Sequence, residues 1–327
     1  MQKQNTPQIR RLRKFRTEAV SPTRCRTLTR SILRWYSCHS RALPWRLPAA
    51  RLNAHGGQGQ AGNISNPYRI LVSEVMLQQT QVNRVLEKYP RFLKRFPTIH
   101  SLARAHQHEV VIAWQGMGYN NRAVRLHQLA RTVLQQHGGK FPEAYQELVA
   151  LPGVGKYTAN ALLSSAFGKD VPVVDVNVRR VLSRLLWQMR TTIEMKPESE
   201  IWELAQSLLP AGKAYDWNQA LMDLGATICT ARAPQCISCP AARLCSSAAT
   251  MKHVTSSPGK QEPSRDGVPN RIYRGRIIEA LRQYRGRRRL HPDDIGKQIR
   301  PTYSSRDRFW LRSLLAGLER DGLIQQP

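Results

Sequence analysis

The sequence predicts an all-α protein. Two observations carry this reading. Apolar residues recur at helical spacing in short segments separated by Pro, Gly or polar breaks, and only Val171–Val174 alternates in the manner of a strand. The pattern centres on Leu151-Pro-Gly-Val-Gly-Lys-Tyr-Thr158. Pro142 to Ala150 reads as a short helix before it, and Thr158, Ala159, Ala161, Leu162 and Leu163 open an apolar helix after it. Gly153 and Gly155 therefore make a tight helix-to-helix turn, a helix-hairpin-helix. Glycines let the backbone approach a ligand, and the N–H groups of Val154, Gly155 and Lys156 at the next helix start form an anion site suited to a DNA phosphate. An ordinary turn between two helices fits Gly-Val-Gly alone; the residues downstream favour the ligand.

Charge points the same way. The 327 residues carry 51 Lys plus Arg against 22 Asp plus Glu, a net +29, which implies a polyanionic partner, with nucleic acid the usual one. Lys156, Arg179, Arg180 and Arg184 extend this charge through the hairpin region. No apolar run approaches a membrane span, and the Arg-rich first forty residues lack the apolar stretch of a secretory signal. A cytoplasmic, nucleoid-associated location is expected, with organelle targeting left open by the same basic residues.

In chain order, residues 1–26 read as a disordered basic arm, followed by a helix over Thr27 to Tyr36 and then Leu43-Pro-Trp-Arg46. Residues 47–66 are small, Gly-rich and polar, which predicts a loop. Pro67 to Thr80 returns to a buried helix in which Glu74 sits among Ile70, Leu71, Val75, Met76 and Leu77. A carboxylate so placed is costly to ionise and suits a general acid, although a Glu at the helix's solvent edge fits the same spacing. Helices follow at Val82 to Phe92, Ile99 to Ala105, His108 to Trp114 and Arg122 to His137. Asp175 stands at the N-cap position of a helix over Val176 to Leu186. Capping is its sufficient structural role, and the same place presents a carboxylate to a sugar beyond the hairpin.

Two more helices, Trp202 to Leu209 and Trp217 to Ile228, run into Cys229, Cys236, Cys239 and Cys245. Four clustered cysteines argue for metal rather than disulfides, and their spacing leaves zinc and an iron–sulfur cluster both open. Residues 249–270 read as a linker. Arg271 to Gln283, Pro292 to Ile299 and Asp307 to Arg320, followed by an extended Gly322-Leu-Ile, look like a small basic winged-helix module over 271–327.

Together, Leu43–Arg46, Ser73-Glu-Val-Met-Leu-Gln-Gln-Thr-Gln-Val82, Gly116-Met-Gly-Tyr119, Leu151–Thr158, Val174-Asp-Val-Asn-Val178, Met222-Asp-Leu-Gly225 and the four cysteines resemble the adenine DNA glycosylase (MutY) branch of the helix-hairpin-helix superfamily. The match runs in order over roughly residues 30 to 248, and so implies one glycosylase core over 27–248, built of a six-helix barrel module and an iron–sulfur helical module. It implies that Glu74 protonates adenine, Asp175 stabilises the sugar cation, and Tyr157 and Asn177 support the site. Gln79, beside Gln78, and Tyr119 match residues that wedge into the base stack, while Trp45, Arg46 and Gln219 match positions lining the adenine pocket. It further implies a [4Fe–4S] cluster, and as substrate double-stranded DNA with a mismatched or oxidised guanine. A monomer is expected.

The sequence departs from that pattern in places. Val176 stands where the family has Gly, Asn120 where a second Tyr often follows, and nothing in 246–327 looks like the Nudix-like domain that commonly ends the family. The expected activity is hydrolysis of adenine paired with 8-oxoguanine or guanine. A thymine or uracil mismatch glycosylase is the neighbouring alternative, and a non-catalytic iron–sulfur DNA-binding protein the alternative from another class.

Overall fold

The computed structural model describes residues 21–46, 66–189, 196–251, 262–284 and 290–324. Most of the expected basic arm, residues 47–65 of the expected loop, the middle of the linker and the Arg285 to Arg289 run lie outside them. The described residues are mostly helical. They form two compact units, Met1–Pro67 with Lys156–Pro258, and Tyr68–Gly155 with Gly259–Pro327.

The first unit opens with α1 (Pro22–His39), which starts five residues earlier than the sequence reading placed it. Ser21 accepts from the backbone N–H of Arg24 at 3.2 Å and Pro22 takes the first turn, two start signals that the Arg-rich composition obscured. Residues 22–26 are therefore helix, not arm. Leu28, Ile32 and Tyr36, spaced by four, pack on Val178, Val181, Leu182 and Leu185 of α9 (Val176–Trp187) and on Trp217, Ala220, Leu221 and Leu224 of α11 (Ala214–Thr227). Each such aliphatic side chain contributes about 1.5–3 kcal/mol by leaving water. α8 (Lys156–Phe167) and α10 (Glu198–Ser207) complete the unit. Val171–Val174 is irregular rather than the strand its alternation suggested, because Asn218 takes its hydrogen bonds: the Val173 N–H donates to Asn218 Oδ1 at 3.0 Å, and Asn218 Nδ2 donates to Val171 O at 2.9 Å.

The second unit contains α2 (Pro67–Leu77), α3 (Val82–Arg95), α4 (Ile99–Arg104), α5 (Gln107–Ala113), α6 (Asn121–His137) and α7 (Tyr145–Ala150). α2 stops before Gln78, three residues short of the expected end. Phe92 meets Trp114 edge-on at 5.8 Å between centroids, in a core with Leu102, Val110, Leu126 and Val133.

The C-terminal part differs from its sequence reading at both ends. Residues 264–269, read as linker, form a hairpin of β1 (Ser264–Arg265) and β2 (Val268–Pro269) across Asp266-Gly267, both with positive φ (50° and 72°), the Asp-Gly signature of a type I′ turn. Three helices follow: α12 (Asn270–Gln283), α13 (Pro292–Ile299) and α14 (Arg308–Arg320). The expected extended piece after them is a turn, closed by Leu323 N donating to Leu318 O at 2.9 Å. Buried Asp307 ties hairpin to helices, pairing with Arg265 and Arg300. These C-terminal helices also contact α5 and the turn after it: Arg282 donates to Val111 O at 2.6 Å, Gln107 to Gly322 O at 2.6 Å, and Gln115 to Glu279 at 2.9 Å.

Candidate functional site

Asp175 caps α9. Its Oδ1 accepts from the Val178 N–H at 2.7 Å and its Oδ2 from Asn177 Nδ2 at 2.9 Å, so both oxygens are oriented and one edge is held by another side chain. Arg180 fixes Asn177 in turn, donating to Asn177 Oδ1 at 2.9 Å and to the carbonyls of Gly225 at 2.7 Å and Cys229 at 2.9 Å. Gly225 is required by this crossing. A Cβ there would lie 2.8 Å from Asn177 Cβ, nearer than real contacts allow, and a tight 3.3 Å from Asn177 O. Val176, the bulky departure beside Asp175, is 76 % exposed, so its side chain leaves the carboxylate uncrowded.

Tyr157 is half-buried in the first turn of α8, and Asn160 closes that turn by donating to Lys156 O at 2.8 Å. Lys156 extends over the Trp202 ring, 4.2 Å from its centroid, so its ammonium already has a partner within the unit. Arg180 and Arg184 are likewise committed to backbone carbonyls around the cysteine loop. Part of the charge that the sequence assigned to a polyanion is thus structural.

Trp45 and Gln219 are both buried. Arg46 is half-buried, with its side chain only 7 % exposed, and grips Asp223 with both terminal nitrogens at 2.8 and 2.9 Å, while Arg41 Nε donates to the same carboxylate at 2.6 Å. Burial works against ionisation of Asp223, yet hydrogen bonds from Arg46 and Arg41 hold its carboxyl below the usual carboxylate range. The guanidinium fork of Arg46, expected to line a base pocket, is held by Asp223, a residue the sequence offered only as part of Met222-Asp-Leu-Gly225. Its place among Leu221, Leu224 and Gly225 was the available signal.

In the second unit Glu74 is half-buried between buried Ser73 and Val75. Gln79 and Tyr119 lie on exposed turns, both with left-handed backbone (φ 52° and 43°), and Gln78 between α2 and Gln79 is half-buried. Leu151 O accepts from the Val154 N–H at 3.1 Å, closing the hairpin turn; Gly153 adopts φ 78°, and it and Gly155 are exposed. Val154 is buried, so any contact it makes with a ligand is through its backbone.

All four cysteines of the C-terminal loop line one cavity, with Arg184, Leu185 and Ile228 among its walls. Arg184 Nη1 is 3.5 Å from Cys229 Sγ, and Arg24 clamps the loop from α1, donating to Leu244 O and to Ser246 Oγ at 2.9 Å. Burial pushes the thiols of Cys236 and Cys245 up and that of Cys239 up to about 11. Such thiols deprotonate when a cation takes them, and a guanidinium at hand favours the thiolates. Among the described residues no group of three converges on a single metal ion. Four sulfurs around one cavity are a donor set that could hold a metal centre, either a single ion or an iron–sulfur cluster.

Comparison with known proteins agrees with this architecture. The family model of the HhH-GPD superfamily base excision DNA repair protein matches residues 72–207. The adenine DNA glycosylase of Mycobacterium tuberculosis (strain CDC 1551 / Oshkosh) is 38 % identical over 257 residues, 77 % of this chain and 77 % of that protein. The chain belongs to the adenine DNA glycosylase family. Its human relative, an adenine DNA glycosylase, is 41 % identical over 216 residues, 66 % of this chain but 38 % of the human protein, so the chain spans about two fifths of the length of that relative. Among solved structures, a thermostable thymine-DNA glycosylase is similar with a TM-score of 0.58 and 31 % identity, covering 69 % of this chain and 97 % of that one. Family membership accounts for the order of the motifs. The individual roles of Arg122, Asn218 and Asp223 are not legible in the sequence, because each holds backbone or another side chain far along the chain.

Proposed function

We propose that this protein is a monofunctional DNA glycosylase that removes adenine mispaired with 8-oxoguanine or guanine. A base inside a duplex must be extruded before its glycosidic bond can be reached. The hairpin N–H groups would hold the phosphates, and Gln79 and Tyr119 would fill the gap in the stack. Glu74 protonates the flipped adenine. The C1′–N bond then breaks with its electron pair leaving on the base, the Asp175 carboxylate faces the sugar cation, and water adds at C1′ with loss of a proton. The observation that carries this reading is Asp175 itself, an N-cap whose two oxygens are oriented by Val178 and Asn177 within a family of adenine DNA glycosylases. Single-turnover base release from duplexes carrying A, T or U opposite G or 8-oxoguanine tests it, with adenine release fastest opposite 8-oxoguanine. Preferential thymine or uracil release would instead favour the second reading, which the similarity to a thymine-DNA glycosylase supports.

A cluster held by Cys229, Cys236, Cys239 and Cys245 would act structurally, fixing the loop against α9. The purified protein is expected to be brown with about four iron atoms per chain. Zinc without iron in metal analysis would reverse the assignment.

Hydrolysis without strand cleavage is expected as well. A lyase needs an amine where Tyr157 stands, and Lys156 is rotated about 100° from it and lies on Trp202. Borohydride should trap no covalent enzyme–DNA adduct; efficient trapping would overturn the monofunctional reading.

A further inference from the structure

Arg122, on the first turn of α6, is buried, and its guanidinium is directed at backbone. Nη1 donates to Val75 O at 2.8 Å, to Met76 O at 3.0 Å and to Gln78 O; Nη2 donates to Met117 O at 3.0 Å, to Gly118 O at 3.1 Å and to Thr80 Oγ1 at 3.0 Å. Six acceptors therefore converge on two nitrogens, and they come from two separate places in the chain. One set is the C-terminal end of α2, where carbonyls lack helical partners and the helix dipole is negative. The other is the Gly116–Tyr119 turn, where Gly118 O also accepts from Trp114 Nε1 at 3.2 Å.

The two places are the ones that carry Gln79 and Tyr119. Each of these residues holds a left-handed backbone that costs an L side chain about 1–2 kcal/mol, so each turn persists only because its surroundings dictate it. The Arg122 guanidinium also lies 5.7 Å from the Tyr119 ring centroid and 5.4 Å from that of Trp114. Burial lowers its pKa to about 10, which still leaves it charged at neutral pH.

We infer that Arg122 is the positioning residue for strand insertion: one planar fork sets the Gln79 turn and the Tyr119 turn at a fixed separation, so that both enter the base stack together. This rests on the proposed function, since Gln79 and Tyr119 are wedges only if the substrate is a duplex. Arg122 acts through those two residues and touches no reacting atom. Lysine could keep the charge and some of the carbonyl contacts, but a point donor cannot span both turns as a fork does.

The test uses the full chain and two substrates, an 8-oxoguanine:adenine duplex and a duplex with adenine opposite an abasic site, where the stack is already broken. A 2-aminopurine next to the adenine reports unstacking on binding, whether or not chemistry follows. Arg122→Lys is expected to slow single-turnover adenine release about tenfold on the first duplex and under about threefold on the second, with a smaller fluorescence rise on the first. Thr80→Val removes one of the six acceptors while keeping the side chain's size, and should give the same asymmetry in weaker form even if the lysine variant folds poorly. A purely structural role would slow both substrates alike and lower the melting temperature. Equal slowing, or none, in Thr80→Val and in a folded Arg122→Lys overturns the inference. If the wild-type protein releases no adenine, the proposed function fails instead, and the fluorescence arm alone still decides whether Arg122 sets the wedges.

Discussion

Asp175→Asn should reduce single-turnover base release by about a thousandfold or more while leaving duplex affinity within about threefold of wild type. The asymmetry follows from the contacts. An asparagine Oδ1 can still accept from the Val178 N–H, so the α9 cap survives and the fold with it. What disappears is the negative charge that would face the sugar cation. The Asn177 Nδ2 contact is weakened as well, because an amide that presents its own NH2 on that side meets another donor. Glu74→Gln should show the same pattern for a different reason, since it removes the proton donor and keeps the shape. Filter binding and base-release kinetics on the same duplex separate the two quantities. Normal turnover by Asp175→Asn would make Asp175 a helix cap and nothing more.

The largest effect on stability is expected from Asp223→Ala, at about 3–5 kcal/mol, because removing the carboxylate leaves the Arg46 side chain buried and Arg41 half-buried without their counter-charge. Urea unfolding followed by circular dichroism measures it. The folded-state pKa of Asp223 is depressed, so its contribution is complete above the unfolded value near ~3.9 and is lost as the pH falls through the lower folded value. The gap between wild type and variant should therefore be the same at pH 6 and pH 8 and should close only in strong acid. Adding Arg46→Met to the variant should recover part of the loss, since a buried charge is then replaced by an apolar side chain. A variant as stable as wild type would show that the arginines find other partners.

Much of the helical order was legible in the sequence because it rests on local terms. The 3.6-residue spacing of Leu28, Ile32 and Tyr36, or of Val178, Val181, Leu182 and Leu185, states which side of a helix is apolar before any partner is known. Asp175 as an N-cap and the tight turn at Gly153 are equally local, and the structure has them where the spacing put them. Helix ends were less well read. The start of α1 was hidden by an Arg-rich segment that resembles a disordered arm, and the Asp266-Gly267 hairpin by Pro, Ser and Gly on either side.

What the sequence determined by itself was composition, the order of the helices, the hairpin, the two carboxylates and the four cysteines, all of which depend on residue type and short spacing. What only the tertiary structure decided was the second partner of each group. Asn218 takes the hydrogen bonds of the approach to Asp175, 45 residues away in the case of Val173. Arg46 turns to Asp223 across 177 residues, and Arg122 joins two turns through carbonyls that look alike in every sequence. A long side chain's charge is written in its name, but its acceptor is chosen by whichever carboxylate or carbonyl folding brings within about 3 Å, and spacing along the chain does not encode that.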